Sequence, residues 1–198
     1  MVFLRSPFSP DLPPVLGHGR VRLRVPQMSD YEPWAAVRIE SRAFLSPWEP
    51  SWPPDDVTRS AFRSRIKRYM RDIEDDLAYP FFVFRAEDQA LLGALTISNV
   101  RRGVAQMASL GYWIGRNFAR QGYMTAAVNT VMPFAFDHLR LHRLEAACLP
   151  ANSASIRLLR RCGFSEEGLA RRYLKINGRW EDHLLFGLLA GDRGDSQD

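Results

Sequence analysis

Between Met107 and Cys162 the apolar spacing changes three times, and that alternation limits this chain more than any other feature. Met107–Ile114 reads as a strand. Residues 123–139 carry Ala127, Val128, Val131, Ala135 and Leu139 at helical spacing. Arg143–Leu149 returns to a strand. Asn152–Cys162 returns to a helix, with Ile156, Leu159 and Cys162 on one side. Gly163 can then take the left-handed C-terminal position, with Phe164 folding back onto the helix. Pro133 lies inside the first helix and is expected to remove a hydrogen bond and bend it.

Antiparallel signals flank this βαβα unit. Asn177-Gly178 joins two strands, Leu169–Ile176 and Trp180–Leu189, as a tight hairpin. Phe81–Arg85, the turn Glu87-Asp88-Gln89 and Leu91–Asn99 predict another. Val21–Val25 alternates as a half-buried strand. Ser29 or Asp30 caps a helix over Tyr31–Ser41 that carries Trp34, Val37 and Ile39. Pro47, Pro50, Pro53 and Pro54 exclude regular structure from a loop that holds Trp48 and Trp52. Asp55 or Asp56 caps a basic helix over Val57–Asp72. The order predicts an α/β (α+β) fold, with a mixed, mostly antiparallel sheet of about seven strands. Residues 1–19 read as a proline-rich arm, 20–190 as a single domain and 191–198 as a polar tail.

Composition narrows the classes. The 198 residues suit one globular domain, and 46% hydrophobic with 25% charged residues excludes wholesale disorder. No run of about 18 apolar residues predicts a membrane span. Prolines and Arg5 interrupt any N-terminal leader, and two cysteines, Cys148 and Cys162, read as free buried thiols. A cytoplasmic location is expected. The net charge of +5 favours anionic partners without choosing among them.

The stretch from Leu110 to Phe164 carries the chemistry. It begins LGYWIGRNFARQGYMTAAV: a strand, a short basic loop and a helix opened by Gly122. Unpaired amides at a helix start are partly positive, and glycine admits a phosphate close to the backbone. Arg116 and Arg120 add charge, so the turn reads as a pyrophosphate cradle or as a plain loop end. It has neither the Gly-Lys-Ser/Thr of a Walker loop nor dinucleotide glycine spacing. Asn152 or Ser153 then opens the next helix as an N-cap. His138 and His142 are four residues apart with no third ligand nearby, so no metal is expected.

Taken together, LGYWIGRNFARQGYMT, LHRLEAACLPANSASIRLLRRCGFSEEG and YLKINGRWEDHLLFGLL resemble the GNAT superfamily of acyl-CoA-dependent N-acyltransferases, and within it the RimJ/RimL branch. The resemblance runs from about Gly19 to Leu189. It implies the GNAT acyltransferase fold and acetyl-CoA as co-substrate. It implies pantetheine contacts from the backbone of Gly111, Tyr112, Trp113 and Ile114, with an oxyanion-stabilising amide near Tyr112 or Trp113. The family's phosphate loop falls on Ala119, Arg120, Gln121, Gly122, Tyr123 and Met124. Only Gly122 matches its pattern, while Ala119 and Met124 depart from it. Thr125 follows in the first helical turn. Asn152 is expected to bond the pantetheine amide and Ser155 to protonate the leaving thiolate.

The implied acceptor is a protein N-terminus, on a ribosomal protein or at the ribosome surface, with no sequence-specific nucleic-acid contact and no membrane. A small amine and a non-catalytic binder are the alternatives, and the protein is expected as a monomer or homodimer. Glu145 is the carboxylate nearest the active strand and a candidate base, with Tyr173 and His183 as others. Water-relayed deprotonation is a further route. Trp34, Phe44, Trp48 and Trp52 fall where the family covers its acceptor groove. Arg59, Arg63, Arg65, Lys67, Arg68 and Arg71 form either a solvated face or a ribosome contact.

Overall fold

A computed structural model of the chain describes residues 12–194; most of the expected arm and the end of the tail lie outside them. The strands are β1 (Leu16–His18), β2 (Val21–Arg24), β3 (Tyr79–Arg85), β4 (Leu91–Arg101), β5 (Met107–Ile114), β6 (Arg143–Cys148), β7 (Ser165–Ile176) and β8 (Arg179–Leu189). The α-helices are α1 (Tyr31–Glu40), α2 (Arg42–Leu45), α3 (Arg59–Glu74), α4 (Tyr123–Pro133) and α5 (Ser153–Arg161). One sheet orders the strands β1-β2-β3-β4-β5-β6-β8-β7. Every neighbouring pair is antiparallel except β5 and β6.

The sheet has eight strands rather than about seven. The extra one is β1, which turns back through Gly19 at φ +56° and pairs with β2. Three residues are too few to display a period in sequence. Two helix boundaries also differ from expectation. Thr58, not Asp55 or Asp56, caps α3, its hydroxyl accepting from the Ala61 amide at 3.2 Å. Asp56 is instead drawn into an ion pair with Arg65 at 2.7 Å. The helix over 123–139 changes form at Pro133, and Phe134–His138 continues as a π-turn closed by the Leu139 amide on the Phe134 carbonyl. A proline cannot supply the amide that a regular helix needs there.

Asp30 stands at the start of α1 as expected, but its carboxylate accepts from the Gln27 amide and from Arg24. The end of α5 follows the sequence closely. Gly163, at φ +86°, donates to Arg160 and Phe164 donates to Leu159, and the Phe164 ring is buried. Both bonds match the Schellman pattern.

Each face of the sheet has its own core. On one, Val21, Leu23, Val83, Leu95 and Leu144 pack with Ala127, Val128 and Val131 of α4 and Leu159 of α5. On the other, Phe82 and Phe84 pack with Trp34 of α1 and Phe62 of α3. Trp34 is 1% exposed, with its ring 4.8 Å from that of Phe62, so it is core and not part of an acceptor groove. Trp34→Ala is expected to lower folding stability by about 3–5 kcal/mol. Chemical denaturation would show this as a lower midpoint at unchanged slope.

Candidate active site

The parallel ladder between β5 and β6 has three rungs, Met107–Arg143, Ala108–Leu144 and Ser109–Glu145, and then stops. Beyond Ser109, β5 keeps its other neighbour, with Gly111 to Ile114 opposite Thr96 to Gly93 of β4. The Gly115 amide donates to the Leu92 carbonyl at 2.8 Å and fixes which rungs of that antiparallel ladder bond. By alternation, Gly111 and Trp113 spend their backbone groups on β4, whereas Tyr112 and Ile114 turn theirs toward the gap beside β6. Of the two expected amides, Tyr112 and Trp113, only that of Tyr112 is turned toward the gap. Gly111 has no side chain to narrow that gap, and a Cβ built on it would meet nothing within 4 Å.

Helix α4 begins at one end of this gap. Gly122, its N-cap, is left-handed at φ +83°, and Arg120 two residues earlier is left-handed at φ +60°. No side chain caps the helix, so the amides of Tyr123, Met124 and Thr125 stay available. Alternating backbone of this kind forms a concave set of N–H donors suited to an anion. Gln121 adds a carbonyl that accepts from Arg20 at 2.9 Å. Tyr123 and Met124 turn their side chains into the core, which explains how the loop tolerates the departure of Met124 from the expected pattern.

Two arginines distant in sequence complete this end. Arg20 lies 4.4 Å over the Tyr123 ring. The Arg85 guanidinium, and after it Arg20, holds the Tyr123 phenol below its ordinary range. Neither arginine stood out in the sequence, because β2 and β3 deliver them from the far side of the sheet order.

Tyr112 and Ser155 meet across the same gap. Their hydroxyl oxygens are 2.6 Å apart, and either can donate. Asn152 caps α5, its side-chain oxygen accepting from the Ser155 amide at 3.1 Å, and so sets where Ser155 stands. Burial pushes the Tyr112 phenol well above its ordinary range, so it holds its proton at neutral pH. Burial likewise raises the Cys148 and Cys162 thiols, which makes both poor nucleophiles.

Glu145 is not brought to this pair. It shares a rung with Ser109, and alternation along β5 puts Ser109 and Tyr112 on opposite faces. Its carboxylate accepts from Arg143 at 3.1 Å and stands 3.7 Å from Arg101. Arg143 also binds Glu167.

The face that carries Glu145 also carries Trp113, and there the proline loop closes over the gap. Pro47 opens a single 3-10 turn over Ser46–Trp48, the one regular element in that stretch. Arg38 is buried between two rings, 3.8 Å from the centre of Trp52 and 4.9 Å from that of Trp113. Glu49 accepts from Arg38 at 2.8 Å and from the Trp52 indole at 2.7 Å. On its other side the Glu49 carbonyl accepts from the Asn177 amide, at the β7–β8 turn, at 2.9 Å. The loop thus bridges from β5 to the last hairpin. Beside it opens a cleft of about 180 Å³ lined by Arg42, Ser46, Pro50, Ser51, Trp52 and Asn177. Phe44 and Trp48 are partly exposed nearby. On α3, Arg59 pairs with Glu32, Arg65 with Asp56, and Arg68 lies over the Tyr69 ring. Among the described residues no three His, Cys, Asp or Glu side chains converge on a point, and His138 stacks on Phe134.

Residues 20–165 match the acetyltransferase (GNAT) domain model. The Bacillus subtilis protein YjcK, described as a probable N-acetyltransferase, is 36% identical over 172 residues, covering 87% of this chain and 95% of that one. The Escherichia coli ribosomal protein uS5-alanine N-acetyltransferase is 33% identical over 173 residues, covering 86% and 89%. The solved structure of Mycobacterium smegmatis RimJ in complex with CoA-disulfide superposes with a TM-score of 0.84 at 33% identity, covering 89% of this chain and 85% of that one. A strand that parts from its parallel neighbour, a glycine-opened helix at the gap and a domain match over most of the chain agree: the protein belongs to the GNAT acetyltransferase family.

Proposed function

We propose that this enzyme transfers an acetyl group from acetyl-CoA to the N-terminal amine of a protein, with a ribosomal protein as acceptor. The observation that carries the chemistry is the gap between β5 and β6, with free backbone donors on one wall and the Tyr112–Ser155 pair beside it. The uS5-alanine enzyme and RimJ among the similar proteins support the choice of acceptor.

The residues fit acetyl-CoA at three places. The amides opening α4, from Tyr123 to Thr125, together with Arg120 and Gln121, would hold the pyrophosphate, and Arg20 adds positive charge beside them, while Arg85 is paired with Asp88. The backbone of Gly111 to Ile114 and the Asn152 side chain would hold the pantetheine arm. When bound, the thioester supplies an activated acetyl carbonyl. The Tyr112 amide, turned to the gap, would donate to that carbonyl oxygen as negative charge develops on it, and a donor already in place needs no reorganisation. With Tyr112 as the donor in its bond to Ser155, the Ser155 proton would be left for the departing sulfur. The cleft under the proline loop admits the acceptor from the opposite face, where Arg42 and Asn177 offer donors to its backbone carbonyls.

Incubation with acetyl-CoA and paired peptides, followed by mass spectrometry, tests the acceptor. Free-N-terminus Ala, Ser and Met peptides are expected to gain one acetyl group, and N-terminally blocked, lysine-containing versions none. Transfer only to small amines would overturn the protein acceptor while keeping the chemistry. Ser155→Ala is expected to lower kcat by about 10–100-fold with the KM for acetyl-CoA within about threefold. Glu145→Gln should cost less than about tenfold in turnover, because a general base contributes roughly 10²–10⁴ and this carboxylate is already committed to Arg143. A hundredfold loss at unchanged melting temperature would reverse that assignment.

A further inference from the structure

The reaction needs a group to take the proton from the attacking amine, and Glu145 and Glu49, described above, are each already bound to an arginine. Glu145 is bound by Arg143, and Glu49 by Arg38 and the Trp52 indole. His183 of β8 is a buried group, 2% exposed, that the mechanism so far leaves unused.

Its ring geometry is specific. Nδ1 lies 2.9 Å from the Glu181 backbone carbonyl. A carbonyl only accepts, so Nδ1 carries the proton. In the neutral ring Nε2 then keeps a bare lone pair. Among the described residues Nε2 has no hydrogen-bond partner.

The sheet register puts His183 beside the open end of β6, the strand that borders the gap. Cys148 and Leu184 form the last β6–β8 rung, so His183 stands one residue past the end of β6. Phe186, Leu188 and Leu184 face the α4–α5 core. His183 alternates with them and therefore faces the other way, onto the face that carries Trp113. The proline loop closes the same opening, fastened to Trp113 through Arg38 and to the β7–β8 turn through Asn177. Ala147, the last β6 residue on that face, stands opposite Leu185, so no β6 side chain on that face is paired directly with His183. The Tyr173 ring meets His183 edge to face at 5.9 Å and steadies it.

We propose that Nε2 of His183 is the base that deprotonates the acceptor amine. The inference rests on the amine-acetylating reading above. The amine nitrogen bonds to the acetyl carbonyl carbon, the carbon–sulfur bond breaks, and the amine proton passes to Nε2. The leaving sulfur takes its proton from Ser155. Solvent then carries the His183 proton away and restores the Ser155–Tyr112 pair, so the sum is amide plus free thiol.

His183→Asn tests this, because the Asn amide can still donate to the Glu181 carbonyl while the Nε2 atom is lost. With the best peptide acceptor of the wild type, kcat should fall about a hundredfold or more. The KM for acetyl-CoA and the melting temperature should stay put, and added imidazole should restore part of the rate. Activity within threefold of wild type would overturn the proposal. Should the variant fail to fold, nitrogen-15 NMR of the wild type decides. An Nδ1–H tautomer is required, and an Nε2–H tautomer rejects the proposal. Wild-type transfer to the acceptor is the control. If no peptide accepts, the protein-acceptor reading fails, and the same variant is judged on whichever small amine does accept.

Discussion

Strands β5 and β6 share three rungs of a parallel ladder and then separate, leaving a row of β5 backbone donors and acceptors without a strand partner. Backbone groups away from water need partners, and an open ladder inside a sheet is a place for something to bind. The rest of the molecule is arranged around that opening. Four antiparallel strands hold β5 from one side, and β8 and β7 hold β6 from the other. Helix α4 points its uncapped start at one end, and α5 presents Ser155 from the side.

In the proposed reaction the sheet divides the work between its two faces. On one face are α4, α5, the Tyr112–Ser155 pair and the two raised thiols. The other carries Trp113, Glu145, His183 and the proline loop. In that proposal adjacent residues of β5 serve different partners, Tyr112 the leaving group and Trp113 the acceptor side. A period of two makes this unavoidable in a strand that is used on both sides. Arg38 ties the acceptor side together. It is buried between two indoles and paired with Glu49, so its loss would leave a half-buried carboxylate without its cation and unpin the loop at once.

Much of this was legible in the sequence, and the reasons are local. The β5 boundaries, the hairpin at Asn177-Gly178, the Asn152 cap and the Gly163 stop depend on contacts within a few residues, and all appear where the pattern places them. Strand β1 escaped because three residues show no period. The cap of α3 differs from expectation because Asp55 and Asp56, both good capping types, stand just ahead of Thr58, which takes the role. Asp56 was claimed by Arg65, nine residues away. Trp34 could not be separated from Trp52 by composition. Only the packing of Phe62 against one of them shows which is core.

What the sequence by itself determined was the order of elements and the two helix openings, at Gly122 and Asn152, because a helix start is written in the residues beside it. Tertiary structure alone decided which chemistry those openings share. Tyr112 and Ser155 are 43 residues apart yet 2.6 Å from each other. Arg20 reaches Tyr123 across the first turn of α4. Glu145 and His183 occupy the same face, yet one is neutralised by Arg143 and the other keeps a free nitrogen. Such outcomes depend on register and on competition between distant partners, and these come into being only when the strands pair.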